Sequence, residues 1–443
     1  MSSTVSSAAT ESLVGFTQRS FEAFLASRNE PAWLVDLRRR WWDVFQTQSW
    51  PARNSEEWIR TDIRLFKPDQ YQLPIGSLEA AETTQPLLNV GVELAGSTSA
   101  VDSRPVKSIL DPKWAAKGVV FGSLDQLVHT HGDLIRRYLF TEAMNPAYDR
   151  FASLHAACWS GGQFLYVPRG VVVDEPVHML SALHHGGCDM GHTLVVLEEG
   201  AEATVLSETA SHGEKDAGMH CGATEVIQRA NSRLRLVSLQ NWGLGVWHFA
   251  HQKAVLGRDA SLQWTIAAIG SRLAKVNQHV ELAGIGAESQ VNGVLFSEDK
   301  QHLSYHTLQH HKAPQCISDF LYKSALQDKS RTVWRGMIKV DKAAQKTNGY
   351  QRNDNLLLSA TSRADSIPGL EIEADDVRCT HGSTTGKVDE ELIFYAQARG
   401  FTRKEATRMI VTGFFQQIFD RITLEQVRDA LGLAISRRVR EYV

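Results

Sequence analysis

The two side chains with the clearest chemical potential lie close together near the C-terminus. Cys379 and His381 are two residues apart, so in an extended strand thiol and imidazole project to the same face. Both are soft or borderline donors suited to iron, zinc or a sulfur-carrying intermediate. Asp375 and Asp376 lie just upstream, and Gly382 just downstream permits close approach of another backbone. Two ligands do not close a four-coordinate site. Such a half-set at the end of a repeating structure calls for a partner that supplies the rest. The bland alternative is a buried cysteine beside a polar histidine, with no ligand role.

Other chemistry is sparse. The five cysteines (158, 188, 221, 316 and 379) are far apart and form no CxxC pair, which gives neither a disulfide framework nor a preformed metal set and points to a reducing, cytoplasmic setting. Among the 17 histidines, His302, His306 and His310 share one face in strand or helix. No acidic or cysteine partner lies in register with them, so a stacked ladder is expected rather than a metal site. His184-His185 and His310-His311 point to opposite faces if extended. The stretch Gly382-Ser-Thr-Thr-Gly386-Lys387-Val388 is one residue too short for a phosphate loop and lacks Ser or Thr after the lysine. HExxH, GxSxG and a strand-linked GxGxxG are absent, so no catalysis by this chain itself is expected. A net charge of −3 argues against nucleic acid or an anionic membrane as partner, and no run of about 18 apolar residues would span a bilayer.

The elements that must position Cys379 and His381 divide 443 residues into three regions. Residues 1–160 read as a helical N-terminal region with an irregular linker. Thr17 to Ala26, Ala32 to Phe45 and Leu124 to Ala157 carry helical spacing, and 64–110 is dotted with Pro, Gly and Ser. The serine- and threonine-rich start lacks the basic-then-apolar order of a secretory signal. From Gly161 short β-rich runs appear: Phe164 to Val167, Thr193 to Leu197, Leu234 to Val237 and Val291 to Phe296. Turns at Gly200-Ala201, Ala230-Asn231, Asp259-Ala260 and Gly286-Ala287 are 30, 29 and 27 residues apart, and Ala313-Pro314, Lys342-Ala343 and Pro368-Gly369-Leu370 continue the series. A strand-rich period of this length without helices predicts a β-solenoid over 161–387, in preference to a sandwich with its shorter turn spacing. Residues 388–443 read as three helices, opened by Asp389, by the capping box Thr402 to Glu405 and by Thr423. Ala406, Ile410, Gly413, Phe414 and Ile418 form the expected apolar stripe. This tail either covers the last coil or docks a partner.

Residues 363–391, from Arg363-Ala-Asp-Ser-Ile-Pro-Gly-Leu through Cys379-Thr-His-Gly to Glu391, resemble the C-terminal signature of the SufB/SufD family, scaffold subunits of the SUF iron–sulfur cluster assembly machinery. Trp159 to Gly170 is similar to the opening of that family's β-helix, Gln240-Asn241-Trp242 to a motif within it, and Glu56-Glu57-Trp58 with Thr61-Asp62 to the N-terminal region of SufD. The resemblance implies a mainly β fold, a right-handed parallel β-helix flanked by α-helical regions. It implies a heterodimer with SufB, two copies of the ATPase SufC, and a homodimer as the state open to the isolated chain. The position of SufB's sulfur-accepting cysteine reads Ser362, and the residues flanking His381 are Thr380 and Gly382; this is the SufD pattern. A transient iron–sulfur cluster would then form at the SufB interface against Cys379 and His381, with none held tightly by this chain alone. SufC would dock near Phe394, Tyr395, Arg399, Phe401, Gly413 and Phe414. The family's complexes are associated with a reduced flavin, for which no motif is readable. A self-associating SufB-like scaffold and a β-helix carbohydrate-active enzyme are the alternatives.

Overall fold

The computed structural model describes residues 13–76 and 84–440; the serine- and threonine-rich start lies almost wholly outside them. From Gly162 onward, each coil of a parallel β-solenoid gives one strand to each of two ten-stranded sheets. The strands Val177–Leu183, Glu202–Ser211, Arg233–Asn241, Ser261–Ala268, Glu288–Ser297, Ile317–Leu326, Thr347–Leu357 and Val377–Lys387 follow one another through sheet one. Sheet two runs from Gly162–Val167 through His192–Leu197, Ala217–Gln228, Gly245–Leu256, Leu273–Leu282, His302–His311 and Arg331–Val340 to Arg363–Ile372. Stacking is in register, so like positions form ladders: Leu236, Trp264, Val291 and Phe320 are successive inward neighbours and all are buried. No coil could bury that face alone.

The corners explain the period. One corner places Gly200, Asn231, Asp259, Gly286, Gln315 and Lys346 at positive φ, 27 to 31 residues apart. Gly, Asn and Asp tolerate this left-handed conformation best. A second corner does the same with Ser271, Asp299 and Asp328. Pro368-Gly369-Leu370 is no turn but lies inside the strand Arg363–Ile372, where an edge position tolerates a proline without N–H. The linker 64–110 is not wholly irregular: Gly96–Val101 and Arg104–Leu110 form an antiparallel pair, the first stacking on Val177–Leu183, so this region builds the start of sheet one.

Helices cover the outer walls. Gln18–Ala26, Ala32–Thr47 and Arg150–Cys158, with the segment from Trp50 to Leu73, bury Phe24, Trp42, Phe45 and Phe151 against Met219, Trp247, Phe249 and Leu273 of sheet two. The stretch 124–157 is helical as expected, in three segments, Leu124–Thr130, Gly132–Tyr138 and Arg150–Cys158. At the other end Glu390–Gln397, Arg403–Phe419 and Glu425–Arg438 form, with Asp389 and the Thr402–Glu405 capping box in their expected roles. The apolar stripe of the middle helix is rotated from the expected one: Val411, Phe415, Ile418 and Phe419 are buried, while Gly413 is exposed and Phe414 half-buried. That stripe packs on Val237, Leu239, Ile269, Val294, Phe296 and Leu321 of sheet one. The C-terminal helices therefore lie along a side wall and leave the last coil uncovered.

Candidate functional site at the open coil

Val377–Lys387 ends sheet one and Arg363–Ile372 ends sheet two, so among the described residues each presents an unpaired strand edge. Register decides where their side chains point. Cys379 stacks on Gly349 and His381 on Gln351; Gln351 is fully buried, its Nε2 donating across the lumen to the Gly369 carbonyl at 3.0 Å. Residues in register share a face, so Cys379 and His381 are brought together on the inward face, at the mouth of the solenoid. Leu370 and Ile372 follow buried Ile338 and Val340 in the same way and face the mouth from sheet two, 38% and 39% exposed. The half-set is thus framed by exposed apolar residues that sequence reasoning missed. Their signal was the alternation Leu370-Glu371-Ile372-Glu373, which the neighbouring Pro-Gly obscured.

Cys379 is half-buried against Ile338, Val340, Ala344 and Ala374. Its Sγ would lie 3.4 Å from a Cβ placed on Gly349, so the glycine makes room for the thiol. Burial pushes the thiol pKa up, opposed by a backbone hydrogen bond with Gly349. The sulfur is therefore a protonated thiol at neutral pH and becomes a ligand only where a metal displaces the proton. His381 is exposed beside it. Among the described residues no three His, Cys, Asp or Glu side chains are grouped to hold a metal ion. Asp375 and Asp376 stay exposed in the bend before the strand, and Ser362 turns its hydroxyl back to the Ser359 carbonyl at 2.7 Å.

The histidine series 302, 306 and 310 lies on one strand, but acidic partners do reach it: His306 Nδ1 is 3.3 Å from Glu57 and His310 Nε2 is 2.8 Å from Asp341. Glu57 also accepts from Arg335 at 2.9 Å and from Tyr148 at 3.2 Å, and lies 3.9 Å from the amine of Lys275. The hydrogen bond with His306 and the nearby cations hold the Glu57 carboxyl at about 2, and burial lowers the Lys275 amine to about 7. With Thr61 donating to Ser304 at 2.9 Å, these contacts tie the Glu56-Glu57-Trp58 segment across sheet two. Their role is structural.

The second candidate set is divided. Phe394 and Tyr395 stand out from the short helix Glu390–Gln397, whose one buried residue is Ile393; Phe394 is 74% exposed. Arg399 lies over the Tyr395 ring, 3.4 Å from its centroid, and Phe401 is exposed nearby. Gly413 is exposed on the next helix, whereas Phe414 folds back under the Lys323 amine, 5.0 Å from its ring centroid.

Residues 180–414 match the SufBD core domain of SUF-system FeS cluster assembly, and residues 19–179 match the SufBD protein N-terminal region. The chain belongs to the SufBD family. Similar curated SufBD proteins occur in Staphylococcus epidermidis, Staphylococcus haemolyticus and Staphylococcus aureus, each 25% identical over 423 residues, or 93% of this chain and 90% of the relative. Each is described as an iron–sulfur cluster assembly SufBD family protein. This SufBD chain is thus a component of iron–sulfur cluster assembly, with the parallel β-solenoid its sequence period predicts. Among its described residues no helix is long and apolar enough to cross a membrane.

Proposed function

We propose that this SufBD protein is a SufD-type scaffold subunit, without catalysis of its own, which acts in the cytoplasm with SufB and the ATPase SufC. The observation that carries the reading is the half-set of Cys379 and His381 at an open solenoid mouth. A partner strand pairing with the edges would cover Leu370 and Ile372 and bring its own ligands opposite the thiol and imidazole. The iron–sulfur cluster is then cargo built at that junction, not a resident cofactor of this chain. His381 offers an imidazole nitrogen, and Cys379 is a secondary ligand or neighbour, since the position of SufB's sulfur acceptor is Ser362. SufC docks on the exposed aromatic face of Phe394, Tyr395, Arg399 and Phe401, with Gly413 and Phe414 on the adjoining helix. Closure of the ATPase on nucleotide would then pull the C-terminal helices and shift the junction.

The test is reconstitution with iron and sulfide, with this chain alone and together with SufB and SufC. The expected result is a cluster absorption band in the complex and none in the subunit alone. A full cluster yield by the isolated chain would favour a self-associating SufB-like scaffold and overturn the assignment. Titration of the complex with reduced flavin decides separately whether that cofactor takes part.

A further inference from the structure

A second feature lies away from the open mouth, along the corner where each coil leaves sheet one for sheet two. A groove of about 990 Å³ runs there, within the range of small-molecule sites, roughly 300–1,000 Å³. Its floor is apolar, made by Leu65, Leu244, Trp247 and Leu273. Its edge carries a cation from each of three successive coils: Arg272, Lys300 and Lys329. Each follows a left-handed corner residue, Ser271, Asp299 or Asp328, so the coil pitch repeats the charge as it repeats the bend.

Three carboxylates also line the groove, and each is engaged by an arginine outside it: Asp62 by Arg64 at 2.9 Å, and Asp299 and Asp328 by Arg440 at 2.8 and 3.4 Å. Among the described residues no carboxylate lies within ion-pair distance of Arg272, Lys300 or Lys329; Arg272 only stacks on Trp247, 5.0 Å from the ring centroid. The groove wall also holds a buried His302 Nε2 with no hydrogen-bond partner. A buried polar atom without a partner is costly, and unpaired cations over an apolar floor suit an anion with an apolar body.

We propose that this groove binds a small soluble organic anion, its apolar body on Leu244 and Trp247 and its phosphate or carboxylate against Arg272, Lys300 and Lys329. The site is separate from the cluster junction, and the proposal does not depend on the SufD assignment.

The test uses 1-naphthyl phosphate as probe, titrated into the full chain by calorimetry and by quenching of tryptophan fluorescence. The expected result is 1:1 binding that neither 1-naphthol nor inorganic phosphate reproduces within tenfold. Affinity should fall at least tenfold in Lys300→Gln/Lys329→Gln, an exposed pair whose loss leaves the corners intact, and also in Leu65→Asp, which places a negative charge on the floor. Absence of binding up to about 5 mM, an affinity too weak for a specific site, overturns the proposal. So does equal affinity for 1-naphthol, or unchanged affinity in both variants.

Discussion

Phe415 and Phe394 sit on neighbouring helices of the C-terminal region and should fail in opposite ways when replaced by alanine. Phe415 has no exposed surface and packs among Val294, Phe296 and Leu321 on the wall of sheet one. A buried phenylalanine removes ~150–200 Å² from water, which at about 25 cal/mol per Å² is about 4–5 kcal/mol. The cavity left by Phe→Ala in a core gives a similar figure of about 3–5 kcal/mol. Phe394 is 74% exposed, so roughly a quarter of that area is buried and the loss should stay near 1 kcal/mol. If Phe394 is a docking residue, the partner shows what stability does not. An aromatic hot spot is worth about 2 kcal/mol or more, about thirtyfold in affinity for SufC. Urea unfolding of each variant, paired with SufC titration, measures both quantities. Phe415→Ala should shift the unfolding midpoint strongly, and Phe394→Ala should lower SufC affinity with the midpoint nearly unmoved. Similar stability losses in the two variants would refute the assignment of buried and exposed faces, and unchanged SufC affinity in Phe394→Ala would refute the docking surface.

Further outcomes can be checked with the same protein. Lys275 holds its proton only below about 7 in the folded chain, against about 10.4 when unfolded. The unfolded chain binds more protons between those values, so stability should rise with pH across that window by up to about 1.4 kcal/mol per unit. Lys275→Met should flatten the slope seen in denaturation midpoints at pH 7 and 9.5. On the acid side, burial lowers His279, His302 and His311 to about 4, and the Glu57 carboxyl is held at about 2. Stability should therefore fall as pH drops from about 6.5 to 4, where the unfolded histidines take up protons first, and again from about 4.5 to 2. Circular dichroism against pH reads this loss, and a flat profile between pH 6.5 and 4 contradicts it. His381→Ala and Cys379→Ser should both leave unfolding midpoints within about 1 kcal/mol of wild type, since His381 is exposed and Cys379 half-buried. Cluster yield in the complex should drop more in His381→Ala than in Cys379→Ser; the reverse order would assign the sulfur-carrying role to the cysteine.

The sequence shows the solenoid where a corner demands a residue type that few side chains satisfy. Gly200, Asn231, Asp259 and Gly286 mark the left-handed corner by their own preference, and the period follows from them. Gln315 and Lys346 occupy the same corner at φ 61 and 59, held there by the coils above and below, and nothing in their side chains announces it. Lys342-Ala343 is a turn, as expected, but the left-handed residue of that corner comes at Lys346. The middle C-terminal helix was ambiguous for another reason. Ile410 and Phe414 lie next to Val411, Phe415 and Phe419, so two adjacent stripes are apolar and either could face the core. Packing against sheet one chooses the second, and composition alone does not. For the site, alternation puts Cys379 and His381 on one face, but only register with Gln351 shows that this face is the inner one.

The two ends of the solenoid differ, and this limits how copies or relatives can join. At the first end the antiparallel strands Arg104–Leu110 and Val120–Ser123 close the sheets, and Pro105 and Lys107 on the outermost strand discourage further pairing. Among the described residues the last coil has no such closure. Arg104–Leu110 and Val120–Ser123 also end their sheets among those residues, but the proline and lysine make the first a poor template, so the last coil is the more adhesive end. If two members were to join through that end, the seam would be central, the Cys379–His381 positions of both would meet at it, and the other ends would point outward into solvent.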